Sequence, residues 1–138
     1  MTRIAALALI AALLPGCALL TKPSSLAQSA DVATTAIGLA QPGVTEANTL
    51  LAGAVEHPMG LAAVWAAKQA LVWGAHRLSP ADCRMASGAL FGVGAAATIN
   101  NVAVIAGAGS IGLVMIPVAA GLWALHAHNN WDRCGDTS

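Results

Sequence analysis

Residues 59–78 read MGLAAVWAAKQALVWGAHRL. At about 1.5 Å of rise per residue, a helix of this length covers the roughly 30 Å hydrocarbon core of a bilayer. One charge, Lys68, stands at its middle. The flanks bound it. His57-Pro58 precedes it, and Ser79-Pro80-Ala81-Asp82 follows as a turn and a helix N-terminus. Downstream, Met85 to Ala106 is a second apolar helix carrying Asn100 and Asn101. Gly107 to Gly109 allows a tight turn. Ser110 to His128 is a third helix with Pro117 as an expected kink. Upstream, Leu26 to Gln41 is a shorter helix containing Asp31, broken by Gln41-Pro42-Gly43. Val44 to Glu56 reads as a mildly amphipathic turn region. The expected fold class is all-α: a small transmembrane bundle of three to four helices, over 26–128, with a polar tail at 129–138.

Composition agrees with that reading. Of 138 residues, 9% are charged and 57% hydrophobic, against about 25% charged in an ordinary soluble domain. Mean hydropathy is +0.71. A soluble bundle of this composition would expose too much apolar surface. Six Lys+Arg balance six Asp+Glu, which gives no basic surface for nucleic acid. Ala and Gly are abundant, as in helices packed closely in lipid.

Ionisable groups inside spanning segments are costly, so each calls for a partner. Asp31 lies ten residues before Gln41, and Lys68 ten residues after Pro58. If their helices run antiparallel around the intervening loop, both charges sit roughly 15 Å below the same face. Equal depth and opposite sign predict a pair. Thr35 is one turn from Asp31 on the same face. Gly88, Gly92, Ala96 and Asn100 form an i, i+4 row, a small-residue groove ending in an amide. Asp31, Thr35, Lys68 and Asn100 are therefore expected to form an intramembrane polar cluster. Its plainer role is to fix helix register; its functional role would be an ion or proton relay.

Two other constellations lead away from catalysis. Gly107, Gly109 and Gly112 match the dinucleotide fingerprint G-x-G-x-x-G. That motif needs a following helix, a second strand and an acidic residue about twenty positions on. Only one apolar helix and a tail remain, so nucleotide binding is excluded. Cys83 and Cys134 flank one helical hairpin and emerge on one side, with Trp73, Trp123, Trp131, His76, His126 and His128. A Cys83–Cys134 disulfide is expected if that side is periplasmic. His126 and His128, at i, i+2, point to different faces of a helix. No metal and no cofactor is expected.

The N-terminus carries a resemblance. Arg3 is a short charged region, and Ile4 to Leu14 is an apolar run of signal-peptide length. Leu14-Pro15-Gly16-Cys17 resembles the bacterial lipobox in Leu14, Gly16 and Cys17, with Pro15 at a less usual position. The resemblance implies a signal peptide at 1–16, a diacylated Cys17, and a lipid-anchored linker at 17–25. The alternative is a plain signal anchor continuing to Leu20. Asp31, Thr34-Thr35, Gly43, Glu46-Ala47-Asn48 and Lys68 also resemble a family of small bacterial and phage membrane proteins of unknown function. In that family Pro usually follows the Asn, where this chain has Thr49. The resemblance implies a helical membrane bundle with Glu46 and Asn48 as a loop motif, and brings no activity with it.

Topology stays open at this point. Arg77, Arg84 and Arg133 lie on the cysteine side, which the positive-inside rule makes cytoplasmic. A lipidated Cys17 starts outside, and a spanning Leu26–Gln41 segment then makes the cysteine side periplasmic. A re-entrant segment reverses this. The expected function is a non-enzymatic lipoprotein of the bacterial inner membrane. Its partners would be the bilayer and a second copy or another membrane protein. A holin-like, lysis-associated protein and a small transporter are the alternatives. No Ser/His pair, paired carboxylates or metal spacing points to an enzyme.

Overall fold

A computed structural model describes residues 18–46, 49–55 and 57–135; Cys17 and Asn48 lie outside the described residues. After a 3-10 turn at Ala18–Thr21 come five α-helices. These are α1 (Pro23–Leu39), α2 (Thr49–Val55), α3 (Pro58–Ala75), α4 (Pro80–Ile105) and α5 (Gly112–Asn129). The all-α class holds throughout the described residues. Three helices begin on proline, whose fixed φ suits the first turn and whose missing N–H would be unpaired there anyway. Ser79 caps α4 by accepting the Asp82 N–H. α5 ends at Asn130, in the left-handed conformation at φ 49°.

α4 is the central element, packed on α1 on one side and α5 on the other; α3 packs on α1 and also touches α4. α1 and α4 run parallel. Their N-termini lie at the end that carries the Cys83–Cys134 bond, and Gly38 meets Ile105 at the opposite end. α3 and α5 run antiparallel to them.

Small residues set both central contacts. A Cβ on Gly92 would lie 2.4 Å from the Ala119 carbonyl oxygen of α5. One on Gly94 would lie 2.9 Å from the Ala27 backbone of α1. The expected groove at Gly88 and Gly92 is thus filled by α5, through Trp123 and Ala119.

Several expectations change. α1 starts at Pro23, so the end of the expected linker is helical. Residues 49–55, expected as a turn region, form α2. Pro117 lies inside α5, at its expected position. The expected polar tail folds back as far as Gly135, and Asp132 and Cys134 are buried. Among the described residues one helix, α4, is long and apolar enough to cross a membrane by length and composition, where the sequence reading has three or four. The apolar run of α3 is interrupted by Lys68 and Gln69. α5 carries His126, His128 and Asn129. Each has 18 residues, about 27 Å of helix.

Candidate functional site

Ser24, Gln28, Asp31 and Thr35 recur along α1 at a spacing of three and four residues, so they share one helical face. That face points inward. Ser24, Ser25, Gln28 and Asp31 are all buried. α3 answers with Lys68 and Gln69, its C-terminal cap with His76, and α4 with Asn101. The result is a polar seam along the interior of the bundle.

At the middle of the seam, Lys68 Nζ lies 2.7 Å from Asp31 Oδ2 and 2.8 Å from Gln28 Oε1. Gln28 donates its own amide to the Leu90 carbonyl. The other carboxylate oxygen, Asp31 Oδ1, accepts from Asn101 Nδ2 at 3.1 Å. The same amide is 2.9 Å from Thr35 Oγ1 and 3.1 Å from Thr34 Oγ1. One step nearer the disulfide end, the Ser25 hydroxyl donates to Gln69 Oε1, and Ser29 Oγ accepts from Gln69 Nε2 and Trp65 Nε1.

The structure thus brings Asp31, Thr35 and Lys68 together, and corrects the fourth member of the expected cluster. Asn100 is not in it. Its side-chain oxygen accepts the Ile111 N–H at 3.0 Å and the Ser110 hydroxyl at 3.2 Å, bracing the α4–α5 turn. The reason lies in the row that suggested it. Gly88, Gly92 and Ala96 face α5, so Asn100 does too. Asn101, about 100° further round the helix, faces α1.

A cleft of about 340 Å³ opens at the end of the seam away from the disulfide, lined by Thr34, Thr35, Glu46, Asn100, Asn101 and Ser110 among others. It joins Glu46 of the expected loop motif to the hydroxyl and amide groups that surround Asp31.

The disulfide end carries a second cluster. Cys83 and Cys134 are bonded. Beside them the buried Asp132 carboxylate accepts from the Ser24 N–H at 3.1 Å and from the Ser24 hydroxyl. It also contacts His126 Nε2 at 3.1 Å and His76 Nε2 at 3.2 Å. Lys22 Nζ donates to the Asp132 carbonyl at 2.9 Å. Burial raises the Asp132 pKa, but the His126 and Ser24 hydrogen bonds and the His126 charge outweigh it and hold the group down at about 2. His126 packs at a tilt against Phe91 and edge-on to Trp131, with centroids 4.9 and 5.6 Å away. His128 is exposed.

Asp132 is absent from the expected site. It falls in a stretch without periodicity, and its partners come from α1, α3 and α5. The available signal is local: Asn130 at a helix end, then Gly135, bracketing a chain reversal. No protein-family model, curated protein or solved structure matches this chain.

Proposed function

We propose that the chain is a non-enzymatic lipoprotein of the bacterial inner membrane. In this reading the bundle sits in the bilayer by its outer faces and packs with itself or with another membrane protein. It resembles the small bacterial and phage membrane proteins that share its Asp, Thr, Glu and Lys pattern.

One observation carries the proposal: polar side chains share the interior with small apolar ones, while the large apolar side chains lie outside. Ser24, Ser87, His126 and Asp132 are 0% exposed, while Leu113, Met59 and Ile116 are 86%, 76% and 67% exposed. Val72 and Val32 are buried with the polar groups, at 0% and 2%, but among the residues whose exposure is described no Leu, Ile, Met, Phe or Trp is fully buried. Water favours the opposite arrangement. Lipid favours apolar outer faces, small residues between helices and polar groups paired inside.

The orientation draws support from α1. Ala18, next to Cys17, enters at the disulfide end. A lipidated terminus and a disulfide both belong on the periplasmic side. Arg77, Arg84 and Arg133 at this end argue the other way. In this reading export at Cys17 sets the side before any loop charge is read.

The test is membrane extraction. The full chain, and a version whose residues 1–17 are replaced by a cleavable non-lipoprotein signal, are expressed in bacteria and washed with alkaline carbonate. Both are expected to stay with the membrane until detergent is added, and the full chain to incorporate labelled palmitate. Release of the acyl-free version into the wash overturns the membrane-embedded reading.

A small-transporter reading draws on the cleft that reaches Asn101, one hydrogen bond from Asp31. Proton leak in reconstituted vesicles, abolished by Asp31→Asn, would favour it.

A further inference from the structure

The sulfurs of Cys83 and Cys134 and a ring nitrogen of His76 all lie within 4.8 Å of one another. His76 Nδ1 is 3.8 Å from Cys83 Sγ. The other ring nitrogen, Nε2, is held by Asp132 Oδ2. In the neutral imidazole that contact places the proton on Nε2, leaving the Nδ1 lone pair directed toward the sulfurs. A carboxylate behind the imidazole is the usual outer support of a histidine metal ligand. Both cysteines are buried.

We propose that Cys83, Cys134 and His76 form a redox-gated site for a thiolate-preferring divalent ion such as zinc. The disulfide is the closed form. A thiol reductant opens it: two RSH give two electrons and two protons, the S–S bond breaks, and RSSR leaves with two Cys thiols remaining. Zinc then displaces the two thiol protons to solvent and takes the His76 Nδ1 lone pair. A disulfide RSSR reverses the sequence: it takes two electrons from the two zinc-bound thiolates and two protons from solvent, leaves as two RSH, the Cys83–Cys134 bond re-forms, and the zinc ion is released.

The geometry suits this. Tetrahedral zinc, with bonds of about 2.3 Å to sulfur and about 2.0 Å to nitrogen, sets N and S roughly 3.5 Å apart and the two sulfurs roughly 3.8 Å apart. The His76 Nδ1···Cys83 Sγ distance, 3.8 Å, is within a few tenths of an ångström of that, and Cys134 Sγ, within 4.8 Å of both partners, has to close on the imidazole once the S–S bond is broken. Freed sulfurs separate to van der Waals contact, near the second value. Two thiolates and an imidazole favour zinc over the hard cations. Among the described residues no fourth His, Cys, Asp or Glu joins the group, so the fourth position is left to water or an added ligand. The three ligands are brought together by the fold and not by the membrane location proposed above, whereas opening the gate needs a compartment that supplies a thiol reductant.

The test uses the full chain in detergent with Cys17→Ser, which removes the third cysteine and its acylation, and cobalt(II) as the probe. The oxidised protein is expected to bind none. After phosphine reduction it is expected to take up one equivalent, with visible ligand-field bands and a near-ultraviolet thiolate charge-transfer band, both lost on adding zinc. His76→Ala is expected to weaken binding at least tenfold and keep part of the charge-transfer band. Cys83→Ser with Cys134→Ser is expected to abolish both. In a second measurement, zinc should slow reoxidation of the wild-type thiols at least tenfold, and a chelator should restore the rate. Cobalt uptake by the reduced wild type no greater than by the double serine variant overturns the proposal. So does binding indifferent to His76→Ala, or reoxidation that zinc does not slow.

Discussion

Lys68 serves two acceptors, Asp31 Oδ2 and Gln28 Oε1, and loss of its charge leaves a largely enclosed carboxylate without a cation. Breaking a buried ion pair from one side costs about 3–5 kcal/mol. Both side chains here keep some exposure, 20% and 13%, so a cost near 2 kcal/mol is expected for Lys68→Met. Thermal unfolding in detergent measures it, and Lys68→Met with Asp31→Asn should recover part of the loss. The two asparagines separate in the same assay. Asn101→Ala should cost about 1–2 kcal/mol by leaving Asp31 Oδ1 and two threonine hydroxyls without their donor. Asn100→Ala should cost less, because its two partners lie at the exposed α4–α5 turn. Asp132 is the acid-sensitive residue, facing His76, His126 and Ser24, with Lys22 on its backbone. Its folded value of about 2 lies below the ordinary 3.8. Its contribution, roughly 2 kcal/mol, is therefore in place above about pH 4 and is lost as pH falls toward 2. Unfolding midpoints across that window should show the loss, and Asp132→Asn should flatten it.

Among the elements, the α4–α5 seam depends on the absence of a side chain. Gly92→Ala would press a methyl group against the Ala119 carbonyl, and is expected to lower the unfolding temperature and to cost about 1–3 kcal/mol through overpacking. Gly121→Ala is the control. A Cβ there meets nothing within 4 Å, so the better helix propensity of alanine should leave stability equal or up to about 1 kcal/mol higher. The same helices show what sequence can reveal. The Asp31–Lys68 contact is legible because counting depth from one loop needs only the helix direction and the rise per residue. The groove at Gly88 and Gly92 is legible from spacing alone. Which of two adjacent asparagines turns toward α1 is not, until the partner of the glycine row is known. The inward polar face of α1 is written at Ser24, Gln28, Asp31 and Thr35. A reading that seeks apolar faces to bury passes over it.

The molecule as a whole is organised around polar contacts between elements distant in sequence, and this is why its disulfide end escapes a reading along the chain. Ser24, His76, His126 and Asp132 meet only after α1, α3 and α5 are assembled. A stretch such as 129–135, rich in polar residues and without period, looks like solvent-exposed tail until those partners are in place. The disulfide also divides the bundle unequally. It ties the start of α4 to the segment after α5, while no disulfide among the described residues reaches α1 or α3. A protease that nicks the α4–α5 turn at residues 106–111 should therefore leave both halves on one covalent strand. The clipped protein should migrate as a single band without reductant. With reductant it should separate into two, one carrying residues up to the cut and the other carrying α5.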